Sequence, residues 1–259
     1  MRVALGIEYD GEPFSGWETQ VGQYTVQSSL EAALTFVAAG PVKLTCAGRT
    51  DAGVHATSQV AHFDCATHRP ERAWQLGANA ELPKSVSVLW ARQVNEDFHA
   101  RFSARCRYYR YVIVNRVSRP ALLASRAGWV RKSLDAGLMQ QAAQLLLGEH
   151  DFSAFRAAGC QARNPRRRIF EFDVTRHGDF VFIDVCANAF LLHMVRNLVG
   201  TLVDVGTGKQ SPAWVQTLIA DRDRREAGVT MPAGGLYFVG VDYPDRWRLP
   251  RVSSFPVLW

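Results

Sequence analysis

The chain is poor in the features that mark secreted, membrane-spanning and metal-binding proteins. It has five cysteines, an odd number, and none of them form a C-x-x-C pair, so neither a disulfide framework nor a zinc site is indicated. No uncharged apolar run reaches the length of a membrane span, and the first residues lack the apolar core and cleavage site of a signal peptide. We therefore expect a soluble cytoplasmic protein with reduced thiols.

Signatures of several enzyme classes are also missing. The stretch GTGKQS at 206–211 lacks the first glycine of a Walker A loop and has Gln210 where Ser or Thr must hold magnesium. No G-x-S-x-G elbow is present. His55, His62 and His68 are too loosely spaced for a convincing metal site. Chemistry by a nucleotide triphosphate, an activated serine or a metal-bound water has no support in the sequence.

Basic and aromatic residues are interleaved in one part of the chain. From 98 to 119, FHARFSARCRYYRYVIVNRVSR, arginines alternate with Phe and Tyr, and further basic clusters lie at 163–168 and 222–225. The period of a strand places Tyr109 and Tyr111 on one face and Tyr108 and Arg110 on the other. Such a segment suits phosphates and unstacked bases of single-stranded RNA, although a half-buried strand with a solvated face is the alternative. Three clusters and a net charge of +6 favour a polyanionic partner.

Hydrophobic periodicity predicts an α+β fold of two similar units, each with the RRM-like (ferredoxin-like) order β-α-β-β-α-β. The predicted units are residues 1–103 and 104–259, with mixed, largely antiparallel sheets joined around a central cleft. In the first unit we predict strands at 3–9, 42–47, 59–65 and 85–94, with helices at 26–39, capped by Thr25, and at 70–82. In the second we predict strands at 108–115, 168–176, 180–187 and 236–243, and helices at 134–147, 190 to about 205, and near 212–221.

The loop CAGRTDAGVHA at 46–56 carries more chemistry than a turn between strands requires. Arg49, Thr50 and Asp51 stand together between Gly48 and Gly53. An aspartate in such a loop often only accepts hydrogen bonds from the turn. Held anionic by a cation and sheltered from water, the same carboxylate would be a usable nucleophile.

Arg196 lies in the middle of the helix predicted at 190–205, which is apolar on nearly all sides. A buried guanidinium is strongly disfavoured unless it meets an anion, for which Asp51, Asp184 and Asp204 are the candidates. The alternative is that Arg196 reaches water along a narrow polar stripe.

Six motifs are spaced along the chain: DG..F.GW at 10–17, TVQ..LE at 25–31, GRTDAGVHA at 48–56, FHARFSA at 98–104, FLLHMVRNLVG at 190–200 and MPAGGLYF at 231–238. In this order they resemble the tRNA pseudouridine synthases of the TruA family. The resemblance implies that Asp51 is the nucleophile, that Arg49 contacts RNA near the flipped nucleotide, and that Tyr109 stacks on the target uracil. It also implies that Arg196 pairs with the aspartate and that Leu236 forms an apolar wall of the uracil pocket.

The resemblance implies a cofactor-free isomerase that converts uridines near the end of the anticodon stem of tRNA to pseudouridine, acting as a homodimer without metal or membrane. One departure is visible, because the family usually has G-W-Q-x-Q where this chain has Glu18 after Trp17. Two rival functions stay open. One is a catalytically inactive RNA-binding protein of two RRM-like units, and the other is a nucleoside or glycoside hydrolase, although hydrolases usually need two carboxylates.

Overall fold

A computed structural model describes residues 1–250 as an α+β protein of ten strands and five α-helices. It confirms the predicted fold class and the largely antiparallel pairing. The elements, in chain order, are β1 (Arg2–Tyr9), α1 (Val26–Ala38), β2 (Thr45–Cys46), β3 (His55–Asp64), α2 (Glu71–Glu81), β4 (Val86–Val94), β5 (Cys106–Asn115), β6 (Gly128–Val130), α3 (Ala136–Gln144), β7 (Gly148–Asp151), β8 (Arg166–His177), β9 (Phe180–Ala187), α4 (Met194–Gly206), α5 (Trp214–Asp221) and β10 (Leu236–Asp242).

The first compact unit contains residues 1–107 and, within the described part of the chain, residues 237–250. Its strand order is β4-β1-β3-β10, with β2 paired to β3, and β1 runs antiparallel to both β3 and β4. The predicted order β-α-β-β-α-β is confirmed from β1 to β4. Thr25 caps α1 as predicted, because its side chain accepts a hydrogen bond from the backbone of Ser28 and the Ser28 side chain reciprocates. Trp74 of α2 packs edge-on against Phe63 of β3 in the core.

The second compact unit runs from Tyr108 to Leu236. Its strand order is β5-β9-β8-β7, and the short β6 runs parallel to β5. β8 and β9 form an antiparallel hairpin whose turn contains Gly178 at φ +57°. α3 packs on β8 and on α4, and inward residues of β9 such as Val181 and Ile183 are fully buried.

Several predicted elements differ in extent: the strand predicted at 59–65 begins at His55, and the helix predicted at 134–147 is Ala136–Gln144. Two other differences have a visible cause. The strand predicted at 42–47 is reduced to Thr45–Cys46, because the backbone N–H groups of Val42 and Leu44 bind side chains of α1, the Thr35 hydroxyl and the Glu31 carboxylate, instead of a strand. The helix predicted from Phe190 begins only at Met194, since His193 adopts a left-handed conformation at φ +59°. The short strands β6 and β7 were not predicted, and β7, Gly-Glu-His-Asp, has no hydrophobic alternation to reveal it.

Candidate active site

The loop that carries Asp51 connects β2 to β3 and is held by side chains of its own unit. The amide of Gln59 donates to the carbonyl of Gly48 over 2.7 Å, and the buried hydroxyls of Thr50 and Tyr9 lie 2.7 Å apart. The backbone N–H of Val54 donates to the carbonyl of Asp51 over 3.1 Å, which closes a turn with Gly53 at φ +76°. Asp51 itself is half-buried. The loop therefore presents its carboxylate from a braced backbone.

The segment from Asp10 to Trp17 packs directly on this loop. The N–H of Trp17 donates to the carbonyl of Thr50 over 3.0 Å, and the N–H of Gly11 donates to Nδ1 of His55 over 3.0 Å. Gly16 has φ +95°, and a Cβ there would lie 2.9 Å from the carbonyl oxygen of Thr50, so only glycine fits. The motifs at 10–17 and 48–56 thus form one structural unit around Asp51.

Arg49 and Glu18 form an ion pair beside Asp51, with 2.6 Å between Nε and a carboxylate oxygen. Both side chains face solvent, with 58% of Arg49 and 43% of Glu18 exposed. Beneath them, burial raises the pKa of the Cys46 thiol to about 12; Glu18 adds to this rise, whereas Arg49 and Arg101 oppose it. Glu18, which departs from the expected G-W-Q-x-Q pattern, therefore contacts Arg49, the arginine expected to contact RNA.

Arg107 is a buried arginine whose role the sequence did not reveal. Its guanidinium donates to the carbonyl of Ala47, at 3.1 and 3.2 Å, and to the carbonyls of Arg101 and Ala104. These bonds join the start of the Asp51 loop to the loop at 98–105, where the ring of Phe102 is exposed. The strand period that places Tyr109 and Tyr111 on the inward face also places Arg107 on that face. The sequence could therefore have predicted that Arg107 is buried.

In the second unit, Tyr109 faces inward from β5. It is 8% exposed, and its ring meets the ring of Phe190 edge-to-face with centroids 4.9 Å apart. Tyr111 is fully buried whereas Tyr108 and Arg110 are half-buried, so the predicted alternation is confirmed.

Arg196 occupies the first turn of α4, not the middle of a helix as predicted. It is half-buried, and its Nε donates to the carbonyl of Met231 over 2.7 Å. Burial raises the pKa of Tyr111, and the positive charge of Arg196 partly offsets this rise, which places the guanidinium near that phenol. The hydroxyl of Tyr111 donates to the carbonyl of Pro232 over 2.8 Å. The segment MPAGGL at 231–236 is therefore positioned by Arg196 and Tyr111.

Leu236 follows two glycines that pack closely on this unit. A Cβ at Gly235 would lie 2.5 Å from the ring of Tyr111, and one at Gly234 would lie 2.3 Å from the carbonyl oxygen of Ser125. Leu236 is 5% exposed at the start of β10. The two glycines let the backbone approach closely enough to hold Leu236 in place.

The two basic clusters of the second unit both reach β7. Arg166 lies 3.8 Å from Glu149, and Arg222 lies 3.6 Å from Asp151. Clusters that are far apart in sequence are thereby brought to one surface.

Throughout residues 1–250, no group of three or more His, Cys, Asp or Glu side chains is arranged to hold a metal ion, and no helix is long and apolar enough to cross a bilayer.

Comparison with known proteins identifies the class. The family model for tRNA pseudouridine synthases matches residues 6–103 and 142–244. The chain is 54% identical to tRNA pseudouridine synthase A of Aliivibrio fischeri (strain MJ11) over 99% of this chain and 98% of that protein. It is 53% identical to the enzymes of the same name from Coxiella burnetii (strain Dugway 5J108-111), over 98% of each chain, and from Nitrosococcus oceani, over the full length of both.

These matches define an isomerase that acts on RNA, a pseudouridine synthase. More particularly, the chain belongs to the TruA family of tRNA pseudouridine synthases, whose reaction is the isomerisation of uridine in tRNA.

Proposed function

We propose that this protein converts uridine to pseudouridine in the anticodon stem-loop of tRNA, with Asp51 as the nucleophile and with no cofactor. The observation that carries the proposal is the loop at 48–54, in which a half-buried carboxylate is presented from a backbone braced on both sides. Fixed placement of a reacting group lowers the barrier because less motion must be frozen in the transition state.

The isomerisation can proceed with a carboxylate and without a cofactor because it involves no net redox change. The bond from N1 to C1′ of the ribose breaks, the uracil turns, and C5 bonds to C1′. The proton then leaves C5 and N1 takes up a proton, so the product is an isomer of the substrate. Nothing is oxidised or reduced, so no redox group is required. Asp51 can attack C1′ or C6, or assist a glycal intermediate. A general base must also accept the C5 proton, a role for which we propose Tyr109.

The target base must leave its stack before it can react, at a cost of a few kcal/mol. We propose that Arg49 contacts the RNA near the flipped nucleotide, that Tyr109 stacks on the uracil, and that Leu236 lines the uracil pocket. The exposed guanidinium of Arg49, the edge-to-face contact of Tyr109 with Phe190 and the burial of the apolar Leu236 side chain support these roles. Stacking of a base on an aromatic ring contributes about 1–3 kcal/mol, which offsets much of the unstacking cost.

We propose Arg196 as the cation that keeps Asp51 ionised. Two of the three candidate carboxylates bind other cations: Asp184 makes two hydrogen bonds of 2.7 and 2.8 Å with Arg110, and Asp204 binds Lys209 over 3.0 Å. The third candidate, Asp51, is the partner that the resemblance to the TruA family implies. Replacing Arg196 by leucine should lower the rate strongly, and replacement by lysine should restore part of it. Full activity of Arg196→Leu would assign the guanidinium another partner.

The test of the nucleophile is tritium release from tRNA labelled at C5 of uracil. Asp51→Asn should abolish release while leaving the Kd for tRNA within about threefold, because phosphate contacts supply most of the affinity. Asp97→Asn, at an exposed position, is the matched control. Equal release by wild type and Asp51→Asn would remove Asp51 from the mechanism, and free uracil among the products would indicate a hydrolase.

The substrate site is tested by mapping pseudouridine in unmodified tRNA transcripts after reaction. We expect modification near the end of the anticodon stem, and modification confined to another arm would contradict the proposal.

We also propose that the enzyme is a cytoplasmic homodimer, as the family implies. Sedimentation of the full chain at micromolar concentration should give twice the mass of one chain, 28.9 kDa.

A further inference from the structure

The ion pair between Glu18 and Arg49 sets a carboxylate on the arginine proposed to contact the flipped nucleotide. We propose that Glu18 lowers the affinity of this enzyme for tRNA by holding Arg49 in a contact that the RNA must displace. Glu18 is thereby a residue that tunes substrate binding, in a place where the family pattern has a neutral amide. The inference rests on the proposed function, because it takes tRNA as the ligand and Arg49 as a contact to it.

The position of Glu18 is set by its buried neighbour. Trp17 is 1% exposed and packs on Tyr9 with ring centroids 5.9 Å apart. Its backbone is held on both sides, since its N–H donates to Thr50 and its carbonyl accepts from the N–H of Gln27, each over 3.0 Å. The backbone next to Glu18 is therefore fixed against the Asp51 loop, and the carboxylate must share the surface of that loop with Arg49.

The carboxylate of Glu18 competes with RNA for a donor of Arg49. The Nε of Arg49 lies 2.6 Å from the carboxylate, and because Nε–H is one of the donors with which a guanidinium binds phosphate, it cannot serve both anions fully. In addition, the displaced carboxylate would face the incoming phosphate with like charge. A glutamine at position 18 would remove the competing charge while keeping the side chain nearly the same size.

The exposure of the pair sets the size of the effect. Exposed ion pairs contribute little, because water and salt screen them. We therefore expect Glu18→Gln to tighten tRNA binding about twofold to fivefold at moderate salt. A freed Arg49 would also neutralise about one more phosphate. The slope of log affinity against log salt concentration should then become steeper by about 0.7–0.9.

The experiment measures the Kd for an unmodified tRNA transcript between about 50 and 200 mM salt. Four full-length variants are compared with wild type: Glu18→Gln, Arg49→Gln, the double variant, and Glu81→Gln. Glu81 is exposed at the end of α2, so its replacement makes the same change in net charge away from Arg49. We expect tighter binding for Glu18→Gln, a smaller change for Glu81→Gln, and almost no effect of Glu18→Gln in the Arg49→Gln background.

Three results would overturn the inference. Equal effects of Glu18→Gln and Glu81→Gln on the Kd would mean that the tighter binding comes from the change in net charge alone. Undiminished tightening in the Arg49→Gln background would mean that Glu18 repels RNA directly. Weaker binding by Glu18→Gln would mean that the pair holds Arg49 ready for the RNA. In each case wild type still forms pseudouridine, whereas failure of the proposed function would show as absent pseudouridine in wild type itself.

Discussion

The buried ring of His62 predicts that the folded chain loses stability as the pH falls from 7 to 5. His62 lies on β3 with its side chain in the core of the first unit. Its Nδ1 accepts a hydrogen bond from the N–H of Ala100 over 3.2 Å, and its ring lies 4.9 Å from the ring of His99. The neutral ring fits these surroundings, whereas a protonated ring would lose the bond from Ala100 and place a charge in the core.

The pKa of His62 is lowered to about 4 in the folded chain. Burial is the main cause, and the positive charges of Arg2 and His99 add to it; Asp64 and a hydrogen bond with the backbone of Thr45 oppose it. The unfolded chain therefore takes up the proton first, at a pKa of about 6.5. The stabilising effect is full above that value, declines as the pH falls towards 4, and is lost below it.

The magnitude follows from the two pKa values. Their difference corresponds to about 3 kcal/mol of unfolding free energy in full, of which about 2 kcal/mol falls between pH 7 and pH 5. Below pH 5, carboxylates with a lowered pKa, such as those of Asp64 and Asp151, begin to lose their own stabilising contacts. The interval from pH 7 to 5 therefore excludes these carboxylates. Burial also lowers the pKa of His99, so the contribution of His62 is obtained by comparing wild type with a His62 variant over this interval.

The assay is urea unfolding at constant ionic strength at pH 7, 6 and 5. Wild type should lose about 2 kcal/mol more than His62→Gln across this range, since glutamine can accept the bond from Ala100 but does not titrate. His68→Gln, at an exposed position, should behave as wild type. If His62→Gln lost as much stability as wild type, the buried neutral imidazole would not be the cause, and the reasoning would be refuted.

Three further predictions concern the Asp51 loop and β5. Gly16→Ala should lower the rate of tritium release at least tenfold, because residue 16 has φ +95° and its new Cβ would press on the Thr50 carbonyl. Gly22→Ala is the control for backbone strain alone, because Gly22 has φ +72° and open space around it. Arg107→Met should cost about 3 kcal/mol of unfolding free energy in urea, because it strands buried carbonyls, whereas Arg105→Met, at an exposed position, should cost less than about 0.5 kcal/mol. Tyr109→Ala should lose most tritium release but little tRNA affinity in a filter-binding assay, and a parallel loss of binding would show that its role is to hold RNA.

Local pattern was sufficient for much of the fold. Alternating apolar residues predicted the strands and the inward face of Tyr109 and Tyr111, because a side chain on a strand changes face at every step. The cap at Thr25 was predictable because a cap is satisfied by the backbone three residues on. The class of enzyme was also within reach, since its motifs are short and occur in a fixed order. These features depend on residues that are close together in the chain.

Tertiary structure decided what depends on residues far apart. Whether 42–44 forms a strand depended on α1, whose Glu31 and Thr35 side chains take the backbone N–H groups that a neighbouring strand would otherwise bind. That Arg107 bridges two loops, and that Glu18 meets Arg49, followed from which segments the packed core brings together. The sequence by itself determined which residues could do chemistry, and folding decided which of them meet, because contact between distant residues is set by packing of the whole unit and not by local periodicity.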